Sequence, residues 1–156
     1  MAHYSFRKDL VDGQEGENEV ILYLVENHNC QFISDNNTNS HDVILQFASG
    51  GVFGDGNRSF EIKTDLLITP KADTGNIFIE VESRGKESGV MVCQAEWFVY
   101  YLKNFKEVWA IKTEDLLALI ATSNFRQVYG GDKGSGTKGL LINREKNRKH
   151  FVVLKM

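Results

Sequence analysis

An aspartate, a glutamate and a lysine are spaced along this chain in a way that suits hydrolysis of a phosphodiester with a divalent cation. Asp42 begins an apolar run, and a second run, after a glycine-rich turn, carries Glu61 and Lys63 on either side of Ile62. Successive side chains of a strand point to opposite faces, so Glu61 and Lys63, two residues apart, would share one face. Carboxylates bind Mg²⁺ or Mn²⁺, which lowers the pKa of an attacking water, and an ammonium group stabilises developing negative charge. The spacing therefore predicts a hydrolytic metal site on two neighbouring strands.

These three residues also have simpler interpretations. Asp42 could cap a turn at the end of a strand, and Glu61 with Lys63 could form a solvent-facing pair on a half-exposed strand. We favour a catalytic role because the three residues occur as a set.

A second set of acids could form the metal site instead. Asp65 is followed by Glu80 and Glu82 in the sequence Glu-Val-Glu, again on two strand-like runs. We rank this set lower because it contains no cation to offset three acids, although one of its glutamates could support the main site. Gln94, in an apolar stretch, could be a buried amide.

Length and composition indicate one globular domain. The chain has 156 residues, of which 42% are apolar and 25% charged, and both fractions are typical of globular proteins. Its apolar runs fall short of the roughly 20 residues of a membrane span, and the N-terminus lacks the apolar region of a secretory signal. Cys30 and Cys93 are isolated and match neither a disulfide framework nor a CxxC metal pattern. We therefore expect a cytoplasmic protein.

Positive charge concentrates at the C-terminal end. The net charge is -3, but from Arg126 onward eight Lys or Arg face two acids, a local balance of +6 that leaves -9 for the rest. Such a segment is typical of a solvated basic hairpin or of a surface that contacts phosphates. We favour the second interpretation because of the hydrolytic site predicted nearby. The candidate nucleic-acid-binding residues are Lys133, Lys138, Arg144, Arg148 and Lys149.

The apolar pattern predicts a single α/β domain over residues 1–156, with an α-β-β-β-α-β-α core. The expected helices are 13–27, 91–103 and 114–121, with Thr113 as the cap of the last. The expected strands are 42–47, 59–64, 76–82, 108–112, 140–143 and 151–154, and residues 34–40 are expected to form a loop. The stretch 91–103 is apolar nearly all round, as in a buried helix. Residues 126–156 are expected to be a basic, glycine-rich C-terminal extension.

The first helix contributes a fourth acid. Glu17 lies three and four residues before Val20 and Ile21, so it is placed at the end of the buried stripe. Glu19 aligns instead with the more exposed Glu26. Glu17 is therefore the acid expected to face inward, although glutamates near helix N-termini are also common for dipole reasons.

With these elements in place, the chain resembles the PD-(D/E)xK nuclease superfamily, whose restriction-endonuclease-like fold is a mixed central sheet flanked by helices. The resemblance runs from the first helix to about residue 121. The matching motif residues are Glu17 for the acid of the first helix, Asp42 for the "PD" acid, and Glu61, Ile62 and Lys63 for (D/E)xK. His41 stands where the family has proline, which is a turn position and not a ligand. Segments between residues 74 and 102 are similar to those of small nucleases of bacteriophages and mobile elements.

The resemblance implies hydrolysis of a nucleic-acid phosphodiester, of DNA in the first place, with Mg²⁺ or with Mn²⁺ as a substitute. Asp42, Glu61 and the backbone carbonyl of Ile62 would bind the metal. Lys63 would position the water or help to deprotonate it, and Glu17 would bind a second ion or a metal-bound water. Gln94 resembles a glutamine that some nucleases of this fold place near the metal.

Two further expectations follow from the resemblance. A homodimer would cut both strands, as junction-resolving enzymes of this fold do, and a phage-encoded chain would act in the cytoplasm of the host. The competing class is a catalytically inactive protein of nuclease fold that binds DNA or another protein as an accessory.

Overall fold

The computed structural model describes residues 2–35, 42–130 and 134–156, with side chains from residue 13 onward. Within these residues the chain forms two sheets and three α-helices, so the predicted α/β class is confirmed. The helices are α1 (Ala2–Asn27), α2 (Thr113–Thr122) and α3 (Arg144–Asn147). The strands are β1 (Cys30–Asp35), β2 (Val43–Phe47), β3 (Gly56–Asp65), β4 (Asn76–Ser83), β5 (Lys86–Glu87), β6 (Trp97–Leu102), β7 (Glu107–Lys112), β8 (Arg126–Gly130), β9 (Thr137–Asn143) and β10 (Val152–Lys155). Short 3-10 helices are Gly89–Val92, Lys103–Phe105 and Arg148–His150.

The larger sheet has six strands in the order β1-β2-β3-β6-β7-β10. β3 and β6 run parallel, whereas the other neighbouring strands of this sheet are antiparallel. The predicted mixed sheet is therefore confirmed. In the parallel register Glu61 lies beside Phe98 and Lys63 beside Tyr100.

The smaller sheet has four strands in the order β5-β4-β9-β8. The strand predicted at 76–82 does form, as β4, but it pairs with β5 and β9 in this second sheet and not with the strands of the large sheet. The segment 126–156 is not an extension, because β8 and β9 complete the small sheet and β10 pairs with β7 at the edge of the large one.

The long helix α1 covers one face of the large sheet. Its apolar stripe places Val20 and Leu24, both fully buried, against the inward residues of β2, β3, β6 and β7. The helix begins well before the predicted residue 13, and Asn29 follows its end with a left-handed φ of 52°, a conformation that asparagine tolerates well. β1 (Cys30–Asp35) includes residues 34 and 35 of the expected loop 34–40, and residues 36–40 of that loop lie outside the described part of the chain.

The predicted helix at 91–103 is wrong, because this stretch forms the 3-10 helix Gly89–Val92 and then strand β6. Trp97, Val99 and Tyr101 of β6 pack on the α1 side, while Phe98 and Tyr100 pack on the other side with the small sheet and α2. A strand buried on both faces has apolar residues at successive positions, so it lacks the period of two that identifies a half-exposed strand. The α-β-β-β-α-β-α order is therefore wrong at its second helix.

Helix α2 closes the second face of the large sheet. Leu116 is fully buried in the cluster that includes Ile77 and Ile79 of β4 and Trp109 of β7. The predicted cap is displaced by one position, because Thr113 is the first helical residue and the residue before it, Lys112, makes no side-chain capping bond. Among the described residues, no helix combines the length and the apolar character needed to cross a bilayer.

Candidate active site

Strand β3 presents Glu61 and Lys63 side by side, as the alternation predicted. Phe60 and Ile62 point into the core beneath α1, so the two charged side chains point to the opposite face. Lys63 Nζ lies 2.9 Å from Glu61 Oε1, and the side chains are 50% and 17% exposed. This is an ion pair at the border of the core, with the lysine reaching towards solvent.

Asp42 lies next to this pair, immediately before β2. Its backbone N–H donates to the carbonyl of Phe60 at 2.9 Å, and its Oδ2 accepts from the backbone N–H of Ile62 at 2.7 Å. The carboxylate thereby continues the hydrogen bonding between β2 and β3 beyond the first residue of β2. This contact gives Asp42 a structural role at the strand end, and it also fixes the carboxylate against the central residue of Glu61-Ile62-Lys63.

The pKa of Lys63 shows that acids surround it. Burial alone would lower this pKa, but the carboxylate of Glu61, which is also hydrogen-bonded to it, and the carboxylates of Asp42 and Glu80 raise it above its ordinary value. Lys63 is therefore a cation at neutral pH. Three acids from three different strands or strand ends act on one ammonium group.

Glu17 joins this group from α1. Burial, followed by the negative charges of Asp42 and Glu61, raises its pKa from 4.5 to about 7, and Lys63 only partly offsets the effect. Glu17 is therefore coupled electrostatically to all three predicted catalytic residues, as expected for an inward-facing acid.

A glycine brings α1 close to β3 at this point. A Cβ added to Gly16 would lie 2.3 Å from Oγ1 of Thr64, closer than real Cβ contacts. The absence of a side chain at Gly16 thus lets the helix approach the strand that carries Glu61 and Lys63. The position of Glu17 depends on this approach.

The donor set fits a hard divalent cation in its chemistry. The carboxylates of Glu17, Asp42 and Glu61 outnumber the single ammonium group, and their mutual repulsion contributes to the raised pKa of Glu17. Within the described residues, no three His, Cys, Asp or Glu side chains are close enough together to form a complete ligand group. Mg²⁺ typically uses only one or two carboxylates and keeps several waters, so Asp42 and Glu61 are sufficient as its protein ligands.

The contacts of Asp65 and Glu82 do not support the second set of acids, Asp65, Glu80 and Glu82, as the metal site. The hydroxyl of Tyr100 donates to Asp65 Oδ2, and the backbone N–H groups of Leu67 and Ile68 donate to Oδ1 at 2.8 and 3.0 Å. Asp65 therefore holds the turn after β3 together. Glu82 is ion-paired with Lys138 at 2.9 Å in the small sheet.

Glu80, the third acid of this set, does act on the main site, because its negative charge raises the pKa of Lys63. Gln94 is exposed just before β6, so the reading of a buried amide is wrong.

The basic C-terminal residues have different environments. Arg144 is only 8% exposed, and its guanidinium group is bonded to Asp73 and to the carbonyl of Asn76. Arg148 lies over the ring of Trp109, with its Cζ 5.3 Å from the ring centroid. We therefore leave Arg144 out of the proposed nucleic-acid surface, because its charge is neutralised inside the protein.

Two other predicted contacts remain at the surface. Lys138 lies between Glu82 and the exposed ring of Tyr129, 5.8 Å from its centroid. Lys149 is exposed on the last 3-10 helix. Lys133 lies outside the described residues.

The sequence did not reveal the cleft next to this site. A cavity of about 660 Å³ runs between the end of β3, β6 and β4, and Lys63 and Glu80 are among its lining residues. Phe78, Phe98 and Tyr100 supply aromatic surface. The alternation on β4, which places Phe78, Glu80 and Glu82 on one face, was the available signal, but the partner strand of β4 could not be inferred from it.

Comparison with protein-family models, with curated proteins and with solved structures finds no match to this chain. The resemblance to the PD-(D/E)xK nucleases therefore remains a prediction made on its motif residues.

Proposed function

We propose that this protein is a metal-dependent nuclease that hydrolyses phosphodiester bonds, of DNA in the first place. The observation that carries the proposal is the ion pair between Glu61 and Lys63 beside an open cleft, with Asp42 and Glu17 coupled electrostatically to that pair. An excess of acids around one cation is costly unless a further positive charge completes it. A divalent cation held by Asp42 and Glu61 would supply that charge.

Each residue has a role that its environment supports. When bound, the cation would polarise the phosphate and lower the pKa of an attacking water. Lys63 remains protonated because its pKa is raised, so its role is to attract the phosphate and offset developing negative charge, and not to remove a proton. Glu17, with a pKa of about 7, can accept a hydrogen bond or a proton from water near neutral pH.

The order of the first elements supports a restriction-endonuclease-like fold for the proposal. Helix α1 precedes an antiparallel run of β1, β2 and β3, and the acids lie where β2 begins and within β3. β6 then adds to β3 in parallel, which makes the sheet mixed.

A second candidate function is an inactive protein of this fold that binds nucleic acid. The hydrogen bond from Ile62 N–H to Asp42 and the ion pair between Glu61 and Lys63 are the observations that favour it. Each contact satisfies a catalytic candidate within the protein, as in an ordinary structural pair.

The test is a cleavage assay with a matched control pair. Supercoiled plasmid, single-stranded DNA, branched DNA and RNA are incubated with wild type and Lys63→Met in Mg²⁺, Mn²⁺ or EDTA. Lys155→Met is the control, because Lys155 Nζ also pairs with a glutamate of the large sheet, Glu107, at 3.5 Å.

We expect Lys63→Met to cut at least about a hundredfold more slowly, which is typical of removing one preorganised electrostatic group. Lys155→Met should cut within about threefold of wild type, since exposed pairs contribute little. Cleavage that persists equally in Lys63→Met, or the absence of cleavage by wild type in both metals, would contradict the proposed enzyme.

A further inference from the structure

The charged residues that line the cleft beside the candidate site favour an uncharged part of a ligand inside the cleft over an anionic one. Lys63 lines it at the site, while Asp65 and Glu80 add carboxylates to its walls. A phosphate would be attracted to Lys63 but repelled from the walls with Asp65 and Glu80. An uncharged group that is covalently attached to the phosphate could enter the cleft.

Three aromatic side chains line the cleft. Phe98 and Tyr100 contribute the small exposed parts of their rings, since they are only 3% and 7% exposed. Phe78 lies on β4, and a Cβ at Gly139 or Gly130 would be 2.2 or 2.6 Å from its ring atom Cζ. The lack of a side chain at these two glycines lets the ring of Phe78 lie against β8 and β9, and a ring already packed in place requires little ordering when a ligand binds.

The mouth of the cleft carries an exposed leucine. Leu67 is 88% exposed in the turn that Asp65 stabilises through two backbone hydrogen bonds. Leu66 and Ile68 line the cleft beside it. The volume of about 660 Å³ falls within the roughly 300–1,000 Å³ of small-molecule sites.

We propose that this cleft binds an unpaired nucleobase of the strand whose phosphate lies at Lys63. This inference rests on the proposed function, because the phosphate at Lys63 anchors the base. A base paired and stacked in a duplex is not available to the cleft, so the substrates are nucleic acids with a single-stranded, mismatched or looped-out nucleotide.

The polar groups of the cleft refine the choice of base. The carboxylates of Asp65 and Glu80 accept hydrogen bonds, and Asp65 already uses three acceptor positions on its two oxygens. Bases with an exocyclic amino group, which adenine, guanine and cytosine have, can donate to such a wall. Thymine and uracil lack that group and should bind more weakly.

The probe is a DNA duplex that contains one unpaired 2-aminopurine, a fluorescent base with an amino group. Binding is measured with Ca²⁺ in place of Mg²⁺ for wild type, Leu67→Glu and the control Val52→Glu. Val52 is also an exposed apolar residue, at 55%, but it precedes β3 at the opposite end from the cleft. Both leucine and valine are exposed, so neither substitution should affect folding.

Wild type and Val52→Glu should quench the fluorescence through stacking. Leu67→Glu should bind the probe about tenfold more weakly, because its carboxylate replaces apolar surface at the mouth of the cleft and so hinders entry and stacking of the base. A fully paired duplex should bind Leu67→Glu and Val52→Glu alike. Absence of quenching, or equal binding of the unpaired probe by both variants, would overturn the inference.

The outcomes separate this inference from the proposed nuclease activity. If the 2-aminopurine probe is quenched but no DNA is cleaved in Mg²⁺ or Mn²⁺, the base site is supported and the nuclease activity is rejected. If paired and unpaired DNA are cleaved at equal rates, and Leu67→Glu does not change these rates, the nuclease activity is supported and the base site is rejected.

Discussion

Two glutamates of α1, only two residues apart, lie in opposite electrostatic environments. Glu19 accepts a hydrogen bond from the hydroxyl of Tyr101 at 2.6 Å, and Lys103 and Lys106 lie 3.5 and 3.4 Å from its carboxylate oxygens. Burial would raise the pKa of Glu19, but Tyr101 and the two lysines outweigh it and lower the pKa. Glu17 has the reverse outcome, with burial, Asp42 and Glu61 raising its pKa to about 7.

The difference separates an acid whose charge is satisfied within the protein from one whose charge is disfavoured there. The carboxylate of Glu19 is complete within the protein, because donors and cations already satisfy it. The carboxylate of Glu17 is partly buried and lies near other acids, so its ionised form is disfavoured and a nearby positive charge would stabilise it. Glu19 therefore fastens α1 to the sheet, and Glu17 belongs to the candidate metal site.

The largest expected effect is stabilisation by a divalent cation. At a Mn²⁺ concentration of 100 times Kd, binding to the folded state alone adds about 2.7 kcal/mol, which raises the Tm of a domain of this size by roughly 5–10 °C. Thermal unfolding of wild type with Mn²⁺ or EDTA measures this shift. Glu61→Gln should lose most of it, whereas Glu19→Gln should keep it.

Equal shifts in wild type and Glu61→Gln would place the bound metal elsewhere. The contrast between Glu17 and Glu19 would then have no functional meaning.

A smaller effect is expected from removing the structural acid itself. Glu19→Gln loses the charged acceptor of Tyr101 and the partner of Lys103 and Lys106. Hydrogen bonds to charged groups contribute about 1.5–3 kcal/mol, and since Glu19 is partly exposed we expect a loss of about 1–2 kcal/mol in urea unfolding. Glu26→Gln, at an exposed position of the same helix, should change stability by less than about 0.5 kcal/mol. An equal loss in both variants would show that the contacts of Glu19 are not what anchors α1.

The smallest expected effect is a pH-dependent increase in the free energy of unfolding when the charge of Glu17 is removed. A carboxyl whose pKa rises from 4.5 to about 7 on folding binds protons more tightly in the folded state, so stability falls as pH rises through this interval. In EDTA at pH 8, Glu17→Gln should be more stable than wild type by about 1 kcal/mol after allowance for solvent screening. Below about pH 4.5 the two proteins should converge, because Glu17 is then protonated in both states. Urea unfolding at several pH values tests the trend, and a gain that is constant with pH would contradict it.

Sequence reasoning predicted which side chains lie near one another in the candidate site better than it predicted the architecture around them. The alternation in Glu61-Ile62-Lys63 is a local property of one strand, and the ion pair and shared face follow from it. The inward position of Glu17 follows similarly from helical spacing. Glu19 was expected to be exposed like Glu26, because the contact with Tyr101 spans 82 residues and has no local signal.

The fold was less predictable where strands are buried on both faces. The sequence predicts a helix at β6 because apolar residues follow one another there without the alternation of a half-exposed strand. Its pairing with β3 and β7 is what makes it a strand. The placement of β4 in a second sheet is likewise a matter of pairing with β9, which is more than 50 residues away in sequence. Pairing between distant strands cannot be inferred from one local pattern.

The central strand also has a consequence for handling this protein. The six residues of β6, Trp-Phe-Val-Tyr-Tyr-Leu, are all buried and include no charge, proline or glycine. Short uncharged segments of this kind, when exposed in unfolded chains, associate with copies of themselves into aggregates. Heating at high concentration should therefore precipitate the protein irreversibly, so equilibrium denaturation requires dilute samples.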